Sequence, residues 1–335
     1  MKPFLISFYV VFLLSSEAWG DSPIVIAHRG ASAYLPEHTL EAKALAHAMG
    51  AAFLEQDLVL SRDSIPVVLH DIHIETVTDV AMRFPKRKRE DGRFYALDFS
   101  VDELKQLNVT ERVHAKTGLP VYPGRFPVGK SSFRIHTLEE ELEFIAGLSQ
   151  STGRTVGIYP EIKGPSWHRR QGYDISRVVL PILQRHGYHS KSDPCWLQCF
   201  EYGEVKRIRE ELAWRGRLTM LLGSGKQGSD GTDFAFLRTP AGLDQLAHTV
   251  DGIGPSISSI IEGGSVTGRR VTSLVQDAHA RQLRVHPYTV RGDALPVTVV
   301  SLADLHRLLF VEAGVDGVFT DFPDKTVQFL HGNGH

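Results

Sequence analysis

The chain has 335 residues, 42% of them hydrophobic and 23% charged, with a formal net charge of −2. This composition is globular and excludes a disordered or collagen-like chain. The near-neutral balance argues against nucleic acid as the main partner, because proteins that bind it carry a dominant basic face.

The chain opens Met1-Lys2-Pro3, continues with an apolar run Phe4–Leu14, and reaches Ser15–Gly20. Ala18 and Gly20 stand three and one residues before Asp21, the small-residue spacing that a signal peptidase reads. As a helix the apolar run would span about 16 Å at ~1.5 Å per residue, short of a ~30 Å hydrocarbon core. Residues 1–20 are therefore read as a secretion signal cleaved before Asp21, with no stable membrane anchor afterwards. A buried N-terminal helix is the competing reading. Residues 21–335 are expected to form one domain, since barrels of this length are often single units.

From Pro23 onward, short apolar runs alternate with helix-like stretches. Ile24–Ala27 ends in His28-Arg29-Gly30, and Leu40–Met49 has helical spacing with Gly50 just past its end. Phe53–Leu60 returns to strand character. Later strands are predicted at Val156–Tyr159, Trp196–Phe200, Leu218–Leu222, Asp251–Gly254, Leu283–Tyr288 and Gly317–Thr320. Helices are predicted at Ile175–His186, Glu204–Trp214, Ala241–Thr249, Val271–Arg281 and Ser301–Ala313. Eight strands in a βα rhythm point to a (β/α)8 TIM barrel. An open doubly wound sheet is the rival, but it usually carries a Gly-rich phosphate turn after its first strand.

Two segments break the alternation. Ile65–His70 follows Phe53–Leu60 after four residues, too few for a parallel crossover, and reads as a hairpin-like return. Residues 72–134 mix Pro, Gly and charge without an apolar period, and are expected to be an insertion over one barrel mouth. Within it the basic run Lys86–Arg89 reads as a solvated loop, with contact to anionic lipid head groups as the sharper alternative. The two cysteines, Cys195 and Cys199, would lie about 13 Å apart in a strand, so two buried thiols are expected rather than a bridge.

The polar residues converge once these strands are closed into a barrel. His28 and Arg29 end the first strand, and His70 with Asp71 ends the return. Glu55 and Asp57 are two apart, hence on one face of their strand, and Glu161 with Lys163 repeats the arrangement. All reach the end where barrel active sites lie. Charged residues at consecutive same-face positions are costly to bury unless paired or metal-bound. Glu55, Asp57 and Glu161 make a hard, oxygen-rich set suited to Ca2+ or Mg2+. Arg29 offers a planar fork and Lys163 a point charge to a phosphate. His28 and His70 supply an acid and a base. A salt-bridge network with Arg29 and Lys163 as counter-ions remains the structural alternative.

In this order the motifs are Ile26-Ala27-His28-Arg29-Gly30, Leu35-Pro36-Glu37-His38-Thr39, Glu55-Gln56-Asp57, Leu69-His70-Asp71 and Pro160-Glu161-Ile162-Lys163. Leu197-Gln198-Cys199-Phe200, His286-Pro287-Tyr288-Thr289-Val290 and Phe319-Thr320-Asp321-Phe322-Pro323 follow. Over about Pro23 to Leu330 the chain resembles the glycerophosphodiester phosphodiesterase family, in particular its secreted, periplasmic branch. The resemblance implies a (β/α)8 barrel and a periplasmic enzyme that hydrolyses glycerophosphodiesters, such as glycerophosphocholine, to sn-glycerol 3-phosphate and an alcohol. It implies one divalent cation, Ca2+ first and Mg2+ as the alternative, held by Glu55, Asp57 and Glu161. It makes His28 and His70 the acid–base pair, puts Arg29 and Lys163 on the phosphate, and adds Glu37 as a supporting member. It also allows a homodimer. His38 stands where many cytoplasmic members have Asn, and Tyr288 lies where they tend to place Trp. Two other functions stay open at this point: a phospholipase D-like enzyme on lysolipids, and a surface binding protein built on an inactivated barrel.

Overall fold

The computed structural model describes residues 22–332, so the segment read as a secretion signal lies outside the described residues. Eight parallel strands form the central sheet: β1 (Ile24–Ala27), β2 (Phe53–Leu60), β3 (Gly157–Ile162), β4 (Trp196–Cys199), β5 (Arg217–Leu222), β6 (Gly252–Pro255), β7 (Arg284–Val285) and β8 (Gly317–Thr320). From β1 to β7 each pairs with its sequence neighbour, and β8 returns beside β1. The ring joins just past β7, where Phe319 N donates to Pro287 O at 3.0 Å and Val290 N to Phe319 O at 2.8 Å. Helices alternate with the strands around the outside. This is the (β/α)8 barrel expected from the pattern.

Among the described residues no helix is long and apolar enough to cross a membrane. Pro66–Val68 pairs antiparallel with Leu58–Leu60, so the return is a hairpin on β2. Three helices differ from expectation, the first being Glu204–Trp214, which forms over Tyr202–Glu210. Val271 pairs with Ile261 in a small antiparallel ribbon, which shortens its helix to Leu274–His279. The Ser301–Ala313 pattern forms an α-helix over Leu302–His306 that widens into a π-helical turn over Arg307–Ala313.

Strand alternation sorts the side chains into two cores. Leu54, Leu58, Ile158, Leu197 and Leu218 point outward and pack with the helices in the main core. The opposite faces carry Ile26, Phe53, Tyr159, Trp196 and Phe319, an aromatic plug inside the barrel. Gly157 makes room for that plug, since a Cβ there would lie 2.3 Å from the Phe53 ring. Cys195 and Cys199 are free, buried thiols, as expected.

Residues 72–134 hold short helices (Val80–Arg83, Val101–Gln106) and a two-stranded ribbon pairing Asn108–Val109 with Phe133–Arg134. Their apolar residues, among them Ile74, Val80, Phe94, Phe99 and Leu104, form a core of their own against Val59, Val67 and Leu69. The basic run is only half a solvated loop. Lys86 and Lys88 are exposed. Arg87 lies over Phe99 at 4.5 Å and pairs with Glu103 at 2.9 Å, and Arg89 lies over Tyr95 at 4.0 Å and forks onto Asp98.

One buried ion pair underlies the sheet. Lys43, on the first helix (Leu40–Ala48), is fully buried; its ammonium donates to the Glu55 carbonyl and pairs with Glu141 Oε1 at 2.6 Å. Glu141 also takes Gln56 Nε2 at 2.9 Å and His136 Nε2 at 2.5 Å. Burial alone would raise the Glu141 carboxyl, but Lys43 and His136 hold it down at about 2. Its ionised form is therefore favoured by folding, and that stability is present above its ordinary value of 4.5 and lost as pH falls towards 2. Removing one partner of a buried pair strands the other charge, at about 3–5 kcal/mol. Lys43→Met is expected to lower stability in urea unfolding by that amount; a loss under about 1 kcal/mol would show the pair to be dispensable.

Candidate active site

The first turn after β1 sets the site. His28 N donates to Thr320 O at 3.0 Å, which ties it to the end of β8. Arg29 and Gly30 then adopt left-handed backbone, with φ of 59° and 86°. A Cβ on Gly30 would lie 2.8 Å from the Ala42 carbonyl carbon, so both conformation and space demand glycine. In this turn Arg29 N donates to Glu55 Oε2 at 2.8 Å.

Sheet register aligns the acidic residues. Asp57 stands opposite Glu161, and Glu161 opposite Gln198, in one row above the aromatic plug. Glu55, Asp57 and Glu161 are all buried, and each offers a carboxylate oxygen within 4.8 Å of the others. Gln198 Nε2 donates to Glu55 Oε1 at 3.2 Å, and His38 Nε2 lies 2.7 Å from Asp57 Oδ2. Lys163 Nζ lies 2.8 Å from Glu161 Oε1 and 3.6 Å from Asp57 Oδ1.

Mutual repulsion marks this trio. Burial, then the neighbouring Asp57, push the Glu55 carboxyl well above its ordinary range. Glu161 is also raised, by burial and Asp57, against the pull of Lys163. Asp57 is held low by Lys163, His70 and His38 against its burial. Asp57 Oδ1 is buried without a hydrogen-bond partner. Three crowded carboxylates with an orphaned oxygen fit a hard divalent cation, which would satisfy that oxygen and relieve the repulsion.

The two histidines are built alike. His28 Nδ1 lies 2.6 Å from Asp321 Oδ1, and His70 Nδ1 lies 2.7 Å from Asp71 Oδ1. Each carboxylate accepts the Nδ1 hydrogen, which leaves Nε2 with its lone pair. Burial, reinforced by Arg29, lowers His28 to about 3 and His70 to about 4, so both rings rest neutral. Their side chains are 9% and 28% exposed respectively, so His70 is the ring nearer the opening. Both line a cavity of ≈ 170 Å³ shared with Arg29, Glu55, Asp57, Glu161 and Lys163. Phe200, Leu221, Tyr288 and Phe319 give it an apolar wall.

Every candidate residue thus falls at one end of the barrel, but Glu37 keeps apart from the carboxylate trio. It is clamped by Arg29 Nη1 at 3.0 Å and by Arg112 at 2.6 and 2.9 Å, and the two arginines hold it ionised despite burial. Sequence reasoning gave no role to Asp321, Gln198, Arg112, Arg125 or Arg291. Asp321 and Gln198 stood inside quoted motifs; the arginines carried no pattern to single them out.

Comparison with known proteins identifies the family. The profile of the Glycerophosphoryl diester phosphodiesterase family matches residues 28–325. A Haemophilus influenzae protein named glycerophosphodiester phosphodiesterase is 42% identical over 327 residues, spanning 92% of this chain and 90% of its own length. A Treponema pallidum protein of the same name is 39% identical, spanning 92% of this chain and 91% of its own. Among solved structures, an Oleispira antarctica phosphodiesterase in complex with its product sn-glycerol-3-phosphate superposes with a TM-score of 0.62 at 22% identity, covering 92% of this chain and 97% of that one. With its histidines, carboxylates and cations gathered at one barrel mouth, the chain belongs to the glycerophosphoryl diester phosphodiesterase family.

Proposed function

We propose that this protein hydrolyses small glycerophosphodiesters, such as glycerophosphocholine and glycerophosphoethanolamine, to sn-glycerol 3-phosphate and an alcohol. The observation that carries this reading is the pair of carboxylate-tied imidazoles opening on one cavity with Arg29, Lys163 and the acidic trio. The names of the two bacterial relatives and the product held by the Oleispira antarctica enzyme support it. The cavity is of small-molecule size, which favours a glycerol phosphate over a lysolipid chain.

Glu55, Asp57 and Glu161 would hold a divalent cation in this reading, with Ca2+ preferred because it takes many oxygen ligands, mono- or bidentate, in a less exacting geometry than Mg2+. When bound, the cation supplies Lewis-acid stabilisation of charge on the phosphoryl oxygens. The buried Arg29 Nε makes no hydrogen bond, lies 3.7 Å from Asp57 Oδ2, and can donate to a phosphate oxygen. Lys163 approaches the same space.

His28, the deeper ring, acts as the base on the glycerol hydroxyl next to the phosphorylated carbon. That oxygen attacks phosphorus and displaces the alcohol, which takes its proton from His70 at the opening. Burial, then Arg29 and Lys163, hold the His70 pKa down. As the acid of this step His70 carries a proton, and the charge of a bound phosphodiester anion favours that form. Water then opens the cyclic phosphate with the roles reversed. The N-terminal apolar run and its small-residue spacing support secretion to the periplasm, the branch that Tyr288 also favours.

Coupled detection of sn-glycerol 3-phosphate released from glycerophosphocholine tests the reading. His28→Ala and His70→Ala are each expected to lower turnover by about 10²–10⁴. Near-normal rates in both variants would sink the pairing. Chelation is expected to abolish turnover and Ca2+ to restore it; full activity after exhaustive chelation would make the acidic trio structural. The cation should also raise the thermal midpoint of the wild-type protein in a concentration-dependent way, and Glu55→Gln should lose that rise. An equal rise in Glu55→Gln would place the ion elsewhere.

A further inference from the structure

We propose that residues 72–134 position both histidines, through two arginines that hold the carboxylates behind them. The pattern repeats in both dyads. Asp71 Oδ1 accepts from His70 Nδ1 at 2.7 Å and its Oδ2 from Arg112 Nη1 at 2.6 Å. Asp321 Oδ1 accepts from His28 Nδ1 at 2.6 Å and its Oδ2 from Arg125 Nη2 at 2.6 Å. In each dyad one oxygen turns the ring and the other is pinned by a guanidinium from the same inserted segment.

Both arginines are fixed themselves. Arg112 forks onto Glu37, whose Oε2 also takes Arg29 Nη1 at 3.0 Å, so one guanidinium links the Arg29 partner to the His70 partner. Arg125 forks onto Asp293 at 2.8 and 3.0 Å, donates to Ser32 O at 3.2 Å, and lies 3.7 Å over the Tyr122 ring. Arg291 shares Asp321 Oδ2 at 2.8 Å but comes from the barrel itself. The Arg125 side chain is 5% exposed, too enclosed for a solvated surface pair. A carboxylate pinned on one oxygen cannot swing, so its histidine keeps one tautomer and one ring direction. Arg112 and Arg125 are therefore positioning residues, acting on the reaction only through Asp71 and Asp321.

This inference rests on the phosphodiesterase reading of His28 and His70, and the test separates the two. Hydrolysis of glycerophosphocholine is measured at saturating Ca2+ for Arg112→Ala, Arg125→Ala, Asp71→Asn, Asp321→Asn and the doubles R112A/D71N and R125A/D321N. The folded fraction of each is checked by circular dichroism. Each arginine variant is expected to lose about 10–100-fold in kcat, the usual effect of groups that orient a site's own ligands, with KM within about threefold. Each double is expected to lose much less than the product of its single losses, because both changes cut the same chain. Losses that multiply, losses confined to KM, or unchanged kcat overturn the proposal. Should an alanine variant unfold, Arg→Lys at that position is expected to give intermediate kcat, and wild-type kcat there would overturn the proposal equally. A wild-type protein inactive on every glycerophosphodiester overturns the substrate reading, and this inference with it.

Discussion

Three carboxylates confined to a buried barrel mouth, with oxygens within 4.8 Å of one another, set the problem that the surrounding structure solves. Like charges at that separation repel strongly where water is excluded. Burial, with the neighbouring carboxylates adding to it, pushes Glu55 and Glu161 up, while Lys163 is the foremost charge holding Asp57 low. The trio cannot relax by moving apart. Asp57 and Glu161 are locked opposite each other by strand register, and the Glu55 backbone carbonyl is held from below by Lys43. A site that stores repulsion in this way trades stability for affinity toward a cation.

The histidines answer to a different constraint. An imidazole must present one chosen nitrogen in one direction, and burial by itself fixes neither. Here each ring takes its direction from a carboxylate on its Nδ1 side. The environments then differ in one respect, with His28 deep beside β8 and His70 at the opening. The two rings thus sit on similar hardware at different depth.

Much of this was legible in the sequence, for a simple reason. Glu55 with Asp57, and Glu161 with Lys163, are spaced by two within apolar strands, and a strand has only two faces. Strand ends in a βα rhythm share one barrel mouth, which brought in His28, Arg29 and His70. The illegible part consists of long-range partners without a period. His28 and Asp321 are 293 residues apart and meet only because the barrel closes β8 onto β1. Arg125 lies 196 residues from Asp321, in a segment whose core is assembled from isolated apolar residues. The basic run failed in the same way: nothing local says that Arg87 and Arg89 lie over aromatic rings while Lys86 and Lys88 face solvent.

The hairpin on β2 shows why an insertion at this point has a bearing on chemistry. Leu58, Leu60 and Val68 face the main core, while Val59, Val67 and Leu69 face the core of the inserted segment. The hairpin is thus a wall shared by two packed bodies, and His70 stands at its end. Asp57 stands on the same wall, with Leu69 N donating to its carbonyl at 2.9 Å. A close-packed wall transmits displacement rather than absorbing it. Any shift of the inserted segment against the barrel must therefore move His70 and Asp57 together. Had the same residues been carried on a free loop, His70 and Asp57 would have drifted independently.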